Sequence, residues 1–209
     1  MSNEILTFTS KDIEIIEKKR VYDGFFKMVR YDFRHKLFQG GWSDVVRREI
    51  FERGHAVAVL PYDPDTDEFV LIEQVRIGAQ ATSDTPWLME VIAGIIDDGE
   101  TREDVCHRES QEEAGIALSS LTKALSYLVS PGGTTERVHI YVAQCDSTAA
   151  GGIHGLDDES EDIRVHRVSS ATAKEWLENG IIDNAAAIIA LQWFLMNQES
   201  LMKKWRDCE

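Results

Sequence analysis

The chain has 209 residues, of which 43% are hydrophobic, 28% charged and 9% aromatic, with only 4 prolines. This composition excludes a disordered or fibrous chain, and no apolar run reaches the roughly 18 residues of a membrane-spanning helix. Lys and Arg number 22 against 37 Asp and Glu, so the formal net charge is −15. Binders of nucleic acid or of anionic membranes need basic patches, so the acidic balance argues against both partners.

Cysteine usage and the first residues predict a cytoplasmic location. Cys106, Cys145 and Cys208 are odd in number and widely spaced, which argues against a disulfide framework and against a zinc site. Residues 1–10 contain neither the basic stretch nor the apolar stretch of a secretory signal. We therefore expect reduced thiols in a reducing compartment.

The N-terminal quarter of the chain predicts a small antiparallel sheet. Runs rich in β-forming residues are separated by Asp23-Gly24 and Gly40-Gly41, which are typical turn sequences. The expected strands are Ile13–Ile16, Phe25–Tyr31 and Val45–Phe51. We assign residues 1–52 to this β meander, with a role in dimerisation and substrate contacts, and residues 53–209 to the main domain.

The main domain combines groups of strands with helices, which predicts an α+β fold. The expected strands are Ala56–Leu60, Phe69–Val75, Trp87–Ile92, Leu125–Leu128, Val138–Ala143 and Ile163–Val168. Thr101 followed by Asp104 is typical of a helix N-terminus, and Gly115 is placed to end that helix after Ala114. Two closing helices are expected at Ala171–Asn179 and Ala185–Met202. The loop of residues 146–162 is unusually long, and such loops are often functional.

Negative charge is concentrated in two segments. Residues 97–113 and 157–162 contain 13 of the 37 acidic residues and only two basic ones. Carboxylates crowded in this way repel one another unless protons or a cation neutralise them. A divalent metal is therefore the first hypothesis for both segments.

A spaced motif within the first acidic segment points to phosphate chemistry. The chain reads Gly94, five residues, Glu100, seven residues, and then Arg108-Glu109-Ser110-Gln111-Glu112-Glu113-Ala114-Gly115-Ile116. On a helix, Glu109 and Glu113 share one face, and oxygen ligands suit Mg²⁺, which usually bridges to substrate phosphates. A pair of glutamates alone is more typical of a solvated helix face. Seven Gly, Glu and Arg residues at fixed offsets favour the metal site.

The complete pattern resembles the Nudix box, Gly-x5-Glu-x7-Arg-Glu-aliphatic-x-Glu-Glu-x-Gly-aliphatic. Ser110 departs from it, since that position is normally apolar and faces the core. Other segments resemble the branch of this family that cleaves ADP-ribose: Phe25-Phe26, Val46–Glu49, Phe51–Gly54, Glu73–Arg76, Glu90–Gly94, Ser130–Glu136 and Glu159–Asp162. The resemblance implies a Nudix α/β/α sandwich with a mixed sheet, preceded by the small antiparallel β domain.

The same resemblance implies hydrolysis of the pyrophosphate of ADP-ribose and related ADP-sugars to AMP and ribose 5-phosphate. Pro131, sixteen residues after Gly115, is similar to the proline that marks this branch. A GDP-mannose or other nucleotide-sugar pyrophosphatase is the alternative within the family, and the Ser130–Glu136 loop and the base-stacking residues favour ADP-ribose. A non-catalytic ADP-ribose-binding module is a distant alternative, because such modules commonly lack a box glutamate.

Individual roles follow from the resemblance. Glu159 is the implied general base. The implied metal ligands, for two or three Mg²⁺ or Mn²⁺ ions per site, are Ala93 through its carbonyl, Glu109, Glu113 and Glu161. Arg108 and Glu112 would support this cluster. The implied substrate-binding residues are Phe25, Phe26, Arg48, Glu49, Arg53, Arg76, Ser130, Pro131, Gly132 and Glu136.

Ordinary structural roles remain open for several of these residues. Arg108 is also compatible with a surface ion pair, Arg76 with an exposed strand end, and Phe26 with core packing. The resemblance further implies a homodimer in which the N-terminal segment completes the partner's site. The small size and aromatic content of residues 22–42 favour such burial, because a short segment cannot bury that surface alone.

Overall fold

The computed structural model describes residues 8–207, except for the side chain of Asp158. Contacts divide these residues into two compact units. The first contains the described residues up to Gly54 together with Leu128–Glu136, and the second contains His55–Tyr127 and the residues from Arg137 onward. Leu128–Glu136 therefore packs with a part of the chain more than 70 residues away. The division expected at residue 52 had placed this segment in the main domain.

The first unit is built on a three-stranded antiparallel sheet. Its strands are β1 (Ile13–Asp23), β2 (Lys27–His35) and β3 (Val46–Glu52), in the order β1-β2-β3. Every residue of β1 is exposed, and Val29 on β2 is the one buried hydrophobic residue among the described residues of this unit. The meander expected from the sequence is therefore confirmed, and it has almost no core of its own.

The second unit contains a mixed eight-stranded sheet. Its strands are β4 (Ala56–Asp63), β5 (Glu68–Val75), β6 (Trp87–Glu90), β7 (Ile92–Ile95), β8 (Ser119–Leu128), β9 (Arg137–Gln144), β10 (Gly152–His154) and β11 (Ile163–Ser169). The order is β10-β11-β5-β4-β9-β8, with β6 on β5 and β7 on β4. The β4–β9 pair is parallel, whereas β5 runs antiparallel to both β4 and β11.

Helices cover both faces of this sheet. Along β4, Val57 and Val59 belong to one core cluster and Ala58 and Leu60 to the other, as the period of two requires. The first cluster packs against helix α1 (Arg102–Ala114), and the second against α2 (Ser170–Glu178) and α3 (Ala185–Arg206). This three-layer arrangement confirms the expected α/β/α sandwich. No helix in residues 8–207 combines the length and apolarity that crossing a bilayer requires.

The sequence signals at the ends of α1 are confirmed. Thr101 and Asp104 form reciprocal side-chain-to-backbone hydrogen bonds at the N-terminus, and Gly115 ends the helix at φ 65°. The thiols of Cys106 and Cys145 are unpaired and buried, while Cys208 lies outside the described residues.

The long loop of residues 146–162 has more structure than its sequence indicates. It contains the edge strand β10 and short 3₁₀ turns at Ser147–Ala149 and Asp157–Glu159. Strand β10 pairs with β11 over only three residues, Gly152–His154. Ile153 is the one apolar side chain of β10, and glycines lie on both sides of this strand, so the sequence shows no alternation of apolar and polar residues there.

His139, on β9, is a buried base without a partner for one ring nitrogen. The residue is 5% exposed, and its Nδ1 atom makes no hydrogen bond with any residue that the structure describes. Burial lowers the pKa of His139 to about 4, and the neighbouring charges of Arg102, Lys123 and Arg137, with His55, act in the same direction. The folded state therefore holds a neutral imidazole.

We expect His139 to make folding stability fall as the pH is lowered. A histidine whose folded pKa lies below its unfolded value stabilises the fold fully above pH 6.5, and that contribution is lost as the pH falls towards 4. Between pH 7.5 and 5.0 the loss is about 2 kcal/mol. Urea unfolding of the wild type and of His139→Leu at both pH values should show a smaller pH dependence in the variant.

The matched control is His107→Leu, because His107 is exposed on α1. Its pH dependence should equal that of the wild type. An unchanged pH dependence in His139→Leu would contradict the assignment.

Candidate metal and phosphate site

The sequence motif folds into one structural unit, in which β7 leads through a loop into α1. Glu109 and Glu113 lie on the face of α1 that meets β7. A Cβ atom at Gly94 would overlap Oε1 of Glu109, so only glycine allows this carboxylate to lie against the strand. The Oε2 atom of Glu113 accepts a hydrogen bond of 3.0 Å from the Ala93 backbone N–H. The first glycine of the motif thus leaves the space that the Glu109 carboxylate occupies.

The two carboxylates are largely buried, and burial disfavours their ionised forms. Glu113 is 3% exposed as a residue, and the side chain of Glu109 is 14% exposed. Burial raises the pKa of Glu109 to about 7 and that of Glu113 to about 8, and nearby Glu161 raises both further. Arg108 opposes the shift at Glu109, and the Ala93 N–H opposes it at Glu113. Two buried acids side by side are an environment that a cation would stabilise.

Arg108 connects the acidic residues of the motif. Its Nε and Nη2 atoms donate to both oxygens of Glu100 at 2.9 and 3.0 Å. Its Nη1 atom donates to Glu109 at 2.8 Å and to Glu112 at 3.1 Å. The Arg108 side chain thereby holds Glu112 on the side of the helix next to Glu109, and it fixes one oxygen of Glu109. These contacts match an orienting role better than an isolated surface ion pair.

Arg76 is held beside the same cluster by Glu90, which also accepts a hydrogen bond from Gln74. Its Nε and Nη2 atoms donate to Glu90 at distances of 2.9 to 3.2 Å, and Gln74 donates to Glu90 at 3.3 Å. Burial acts to lower the pKa of Arg76, but the charge and hydrogen bond of Glu90, and then the charges of Glu113 and Glu161, raise it above its ordinary value. Glu90 and Gln74 lie in segments that carry the resemblance, but their roles beside Arg76 could not be predicted from sequence, because their contact depends on the register between β5 and β6.

The second acidic segment approaches this cluster from a loop. Glu161 donates its backbone N–H to the Leu156 carbonyl, and its Oε2 atom accepts the Leu156 N–H, both at 3.2 Å. Glu159 ends a 3₁₀ turn and is exposed, and its carboxylate has no hydrogen-bond or ion-pair partner within the described part of the chain. An exposed carboxylate of this kind can take up a proton from a water beside the cluster.

The donor set is suited to a hard divalent cation. The structure brings together Glu109, Glu113 and the strand residue Ala93, while Glu161 is bonded to Leu156. No three His, Cys, Asp or Glu side chains within residues 8–207, leaving aside Asp158, already form a metal-binding group. Mg²⁺ keeps several waters and needs only one or two carboxylates, so the buried pair fits it.

The first unit contains the other residues expected to bind substrate. Phe25 is 86% exposed, and its ring packs edge-to-face on Phe26 at 4.7 Å. Phe26 in turn contacts Phe51 at 5.2 Å and lies under the Arg53 guanidinium at 5.1 Å. Phe26 therefore has a packing role in this unit, whereas Phe25 presents a free aromatic face.

The remaining expected contacts are split between exposed and buried positions. Arg48 and Glu49 are exposed on β3. Ser130, Pro131 and Gly132 are exposed in the turn between β8 and β9. Glu136 is 8% exposed and forms an ion pair of 3.5 Å with Arg53. The Gly133 carbonyl accepts the Phe51 N–H at 2.8 Å, and the Thr134 hydroxyl donates to the Phe51 carbonyl at 2.9 Å. The 130–136 segment is thereby attached to β3, next to Arg53.

Ser110 departs from the motif in a way that the structure makes visible. Its side chain is completely buried under α1, and its hydroxyl has no hydrogen-bond partner among residues 8–207. A buried unpaired hydroxyl costs about 1–3 kcal/mol. The position faces the core, as the motif implies, and the serine leaves the neighbouring carboxylates untouched.

Comparisons with known proteins agree with this site. The family model described as NUDIX domain matches residues 52–194. The ADP-ribose pyrophosphatase of Escherichia coli strain K12 is 55% identical over 200 residues, covering 96% of both chains. The ADP-ribose pyrophosphatase of Haemophilus influenzae is 48% identical, covering 98% of this chain and 95% of its own.

More distant proteins share the fold. A GDP-mannose pyrophosphatase of Cronobacter sakazakii is 32% identical, covering 88% of this chain and 95% of its own. A solved structure titled "Crystal structure of ADP compounds hydrolase" superposes with a TM-score of 0.67 at 23% identity, covering 93% of this chain and 94% of that one. This structural match supports the α/β/α sandwich.

Proposed function

We propose that this chain, which belongs to the NUDIX domain family, hydrolyses the pyrophosphate bond of ADP-ribose and related ADP-sugars to AMP and ribose 5-phosphate. The carboxylate pair Glu109 and Glu113, buried against Gly94 and Ala93, is the observation that carries the chemistry. Relatives of 55% and 48% identity that are named ADP-ribose pyrophosphatase support this substrate.

The proposed metal is Mg²⁺, or Mn²⁺ in its place, with two or three ions per site. Glu109, Glu113, Glu161 and the Ala93 carbonyl are the proposed ligands. When bound, such ions neutralise the pyrophosphate and lower the pKa of water. Support comes from the burial of two adjacent carboxylates and from the charge of Glu161, which acts on both of them.

The side chains around the carboxylates have distinct proposed tasks. Glu159 accepts the proton of the attacking water, for which an exposed and unpaired carboxylate is suited. Arg76, which Glu90 holds in place, is proposed to bind the phosphates through its positive charge. Arg108 holds Glu109 and Glu112 in orientation.

Residues of the first unit are proposed to recognise the nucleotide. The free face of Phe25 suits stacking on adenine, since aromatic rings stack on every base. Arg48, Glu49, Arg53 and Phe26 complete this group. The Ser130-Pro131-Gly132 turn and Glu136 are proposed to contact the same substrate, and their attachment to β3 beside Arg53 supports a shared role.

We further propose a cytoplasmic homodimer in which the N-terminal segment of one copy completes the site of its partner. The exposure of all of β1 and of Phe25 and Phe38, at 86% and 92%, supports an interface there. The unpaired thiols of Cys106 and Cys145 support a reducing compartment.

GDP-mannose hydrolysis is the second candidate, favoured by the 32% identical relative with that name. The two candidates require the same carboxylate pair and differ only in the groups that meet the base and sugar. A binding module without turnover would have no use for Glu159.

The function is tested by product analysis. Purified protein with Mg²⁺ is incubated with ADP-ribose or with GDP-mannose, next to metal-free samples, and the products are separated by ion-pair chromatography. AMP and ribose 5-phosphate should form fastest from ADP-ribose and only with metal. Faster cleavage of GDP-mannose would assign the second candidate, and saturable binding without cleavage would assign a binding module.

Loss of single carboxylates should separate metal binding from proton transfer. Glu109→Gln and Glu113→Gln should each lower kcat by about 100-fold or more, because both are proposed to hold the metal. Glu159→Gln should lower kcat by roughly 100-fold or more with little change in KM, because it removes only the proton acceptor. Steady-state kinetics at saturating Mg²⁺ measures all three.

Matched controls are Glu103→Gln, on the same helix, and Asp162→Asn, on the same loop. Glu103 accepts the Tyr141 hydroxyl, and Asp162 is exposed, so both variants should retain wild-type kcat. A Glu159→Gln variant with raised KM and unchanged kcat would refute the proton-acceptor role.

The dimer is tested by light scattering coupled to size exclusion at micromolar concentration. The measured mass should be about twice the chain mass of 23.6 kDa. Ile15→Lys introduces a charge on exposed β1 and should increase the monomer fraction, whereas Ile181→Lys, at a 54% exposed position in the second unit, should not. A monomer at this concentration contradicts the proposal.

A further inference from the structure

The loop that contains Glu159 and Glu161 is attached to the end of the motif helix. Its two ends are joined in the sheet, because His154 on β10 pairs with Ile163 on β11. The Gly155 N–H donates to the Glu112 carbonyl at 3.2 Å. That carbonyl belongs to the last turn of α1, where carbonyls lack partners within the helix. The loop therefore begins at a hydrogen bond to the motif itself.

The His154 ring strengthens this attachment by packing on Gly115. A Cβ atom built at Gly115 would lie 2.6 Å from Cε1 and 3.3 Å from Nδ1 of the ring. The ring is oriented by its Nε2 atom, which lies 2.9 Å from the Gly151 carbonyl. Two features therefore require glycine at position 115: the left-handed backbone conformation, and the His154 ring that lies where a Cβ atom would be.

Movement at Gly155 would be passed directly to Glu161. A Cβ atom at Gly155 would lie 2.6 Å from Cβ of Glu161, so these residues are in close contact. The next residue, Leu156, exchanges two hydrogen bonds with Glu161 and accepts the Glu159 N–H at 3.1 Å. The segment from Gly155 to Glu161 is consequently one compact turn resting on the end of α1.

We infer that His154 is a positioning residue that clamps the Gly155–Glu161 turn to Gly115 and Glu112, and thereby sets where Glu159 and Glu161 stand relative to Glu109 and Glu113. The two glutamate roles rest on the proposed function. The clamp itself rests on contacts within the second unit. It gives the final glycine of the motif a task besides ending the helix, which is to admit the imidazole.

A size-exchange cycle tests the clamp through activity. Gly115→Ala places a methyl group against the ring and should lower kcat for ADP-ribose by about 100-fold, the usual cost of displacing a catalytic group by about 1 Å. His154→Ala should lower kcat roughly tenfold, with KM nearly unchanged. Since His154→Ala removes the atom that the methyl group strikes, the double variant should have a higher kcat than Gly115→Ala alone. Losses that simply multiply would overturn the inference.

Hydrogen exchange tests the same clamp without turnover. In His154→Ala the peptide covering residues 152–163 should exchange faster than in the wild type, because the amides of Gly155, Leu156 and Glu161 lose their fixed partners. His166→Ala is the matched control, since His166 bonds Glu73 on the neighbouring strand. Equal exchange in the wild type and His154→Ala would overturn the inference.

The two measurements keep the clamp and the function distinguishable. Wild-type protein that does not cleave ADP-ribose would refute the proposed function, and hydrogen exchange would still decide the clamp. Circular dichroism reports the folded fraction of each variant, so kcat is expressed per folded molecule. Should Gly115→Ala fail to fold, His154→Ala alone decides, and wild-type kcat and exchange in that variant would overturn the inference.

Discussion

The close approach of the Glu109 carboxylate to the Cα atom of Gly94 is the constraint on which the site depends. It requires a glycine at the end of β7, a helix that begins a fixed number of residues later, and a sheet that supports both. The capping residues Thr101 and Asp104 fix where that helix begins, and hence which residues face the strand. The spacing between the glycine and the glutamates is therefore a length imposed by the geometry of one strand, one loop and three helical turns.

Burying two carboxylates at this junction costs stability that the rest of the domain has to supply. Burial raises the pKa of both Glu109 and Glu113, which means that their ionised forms are disfavoured in the folded protein. The compensating stability comes from the two hydrophobic clusters that bury both faces of the sheet, with α1 on one side and α2 and α3 on the other. The unpaired hydroxyl of Ser110 beneath α1 adds to the cost. The proposed binding of a cation would offset this local loss of stability.

The sequence predicted those parts of the molecule that are specified by local rules. Both ends of α1 and the central strands followed from caps, periods and turn residues. Strand β10 was missed because three residues beside glycines carry no periodic signal. The Glu90–Arg76 contact and the pairing of residues 128–136 with the N-terminal unit were missed because they depend on register and on long-range packing. The positions of Glu109 and Glu113 were predictable, whereas their burial was visible only in the folded chain.

The clustering of acids in residues 97–113 locates the segment that contains Glu109 and Glu113, but charge alone does not distinguish these two from their neighbours. Half of those eight acids are neutralised or used locally: Arg108 pairs with Glu100 and Glu112, Asp104 caps α1, and Glu103 accepts the Tyr141 hydroxyl. In the described part of the chain, Arg108 also contacts Glu109, but only at one oxygen, and Glu113 accepts only the Ala93 backbone N–H. Charge density therefore locates the segment, and burial without a full complement of partners selects the two carboxylates within it that can accept a cation.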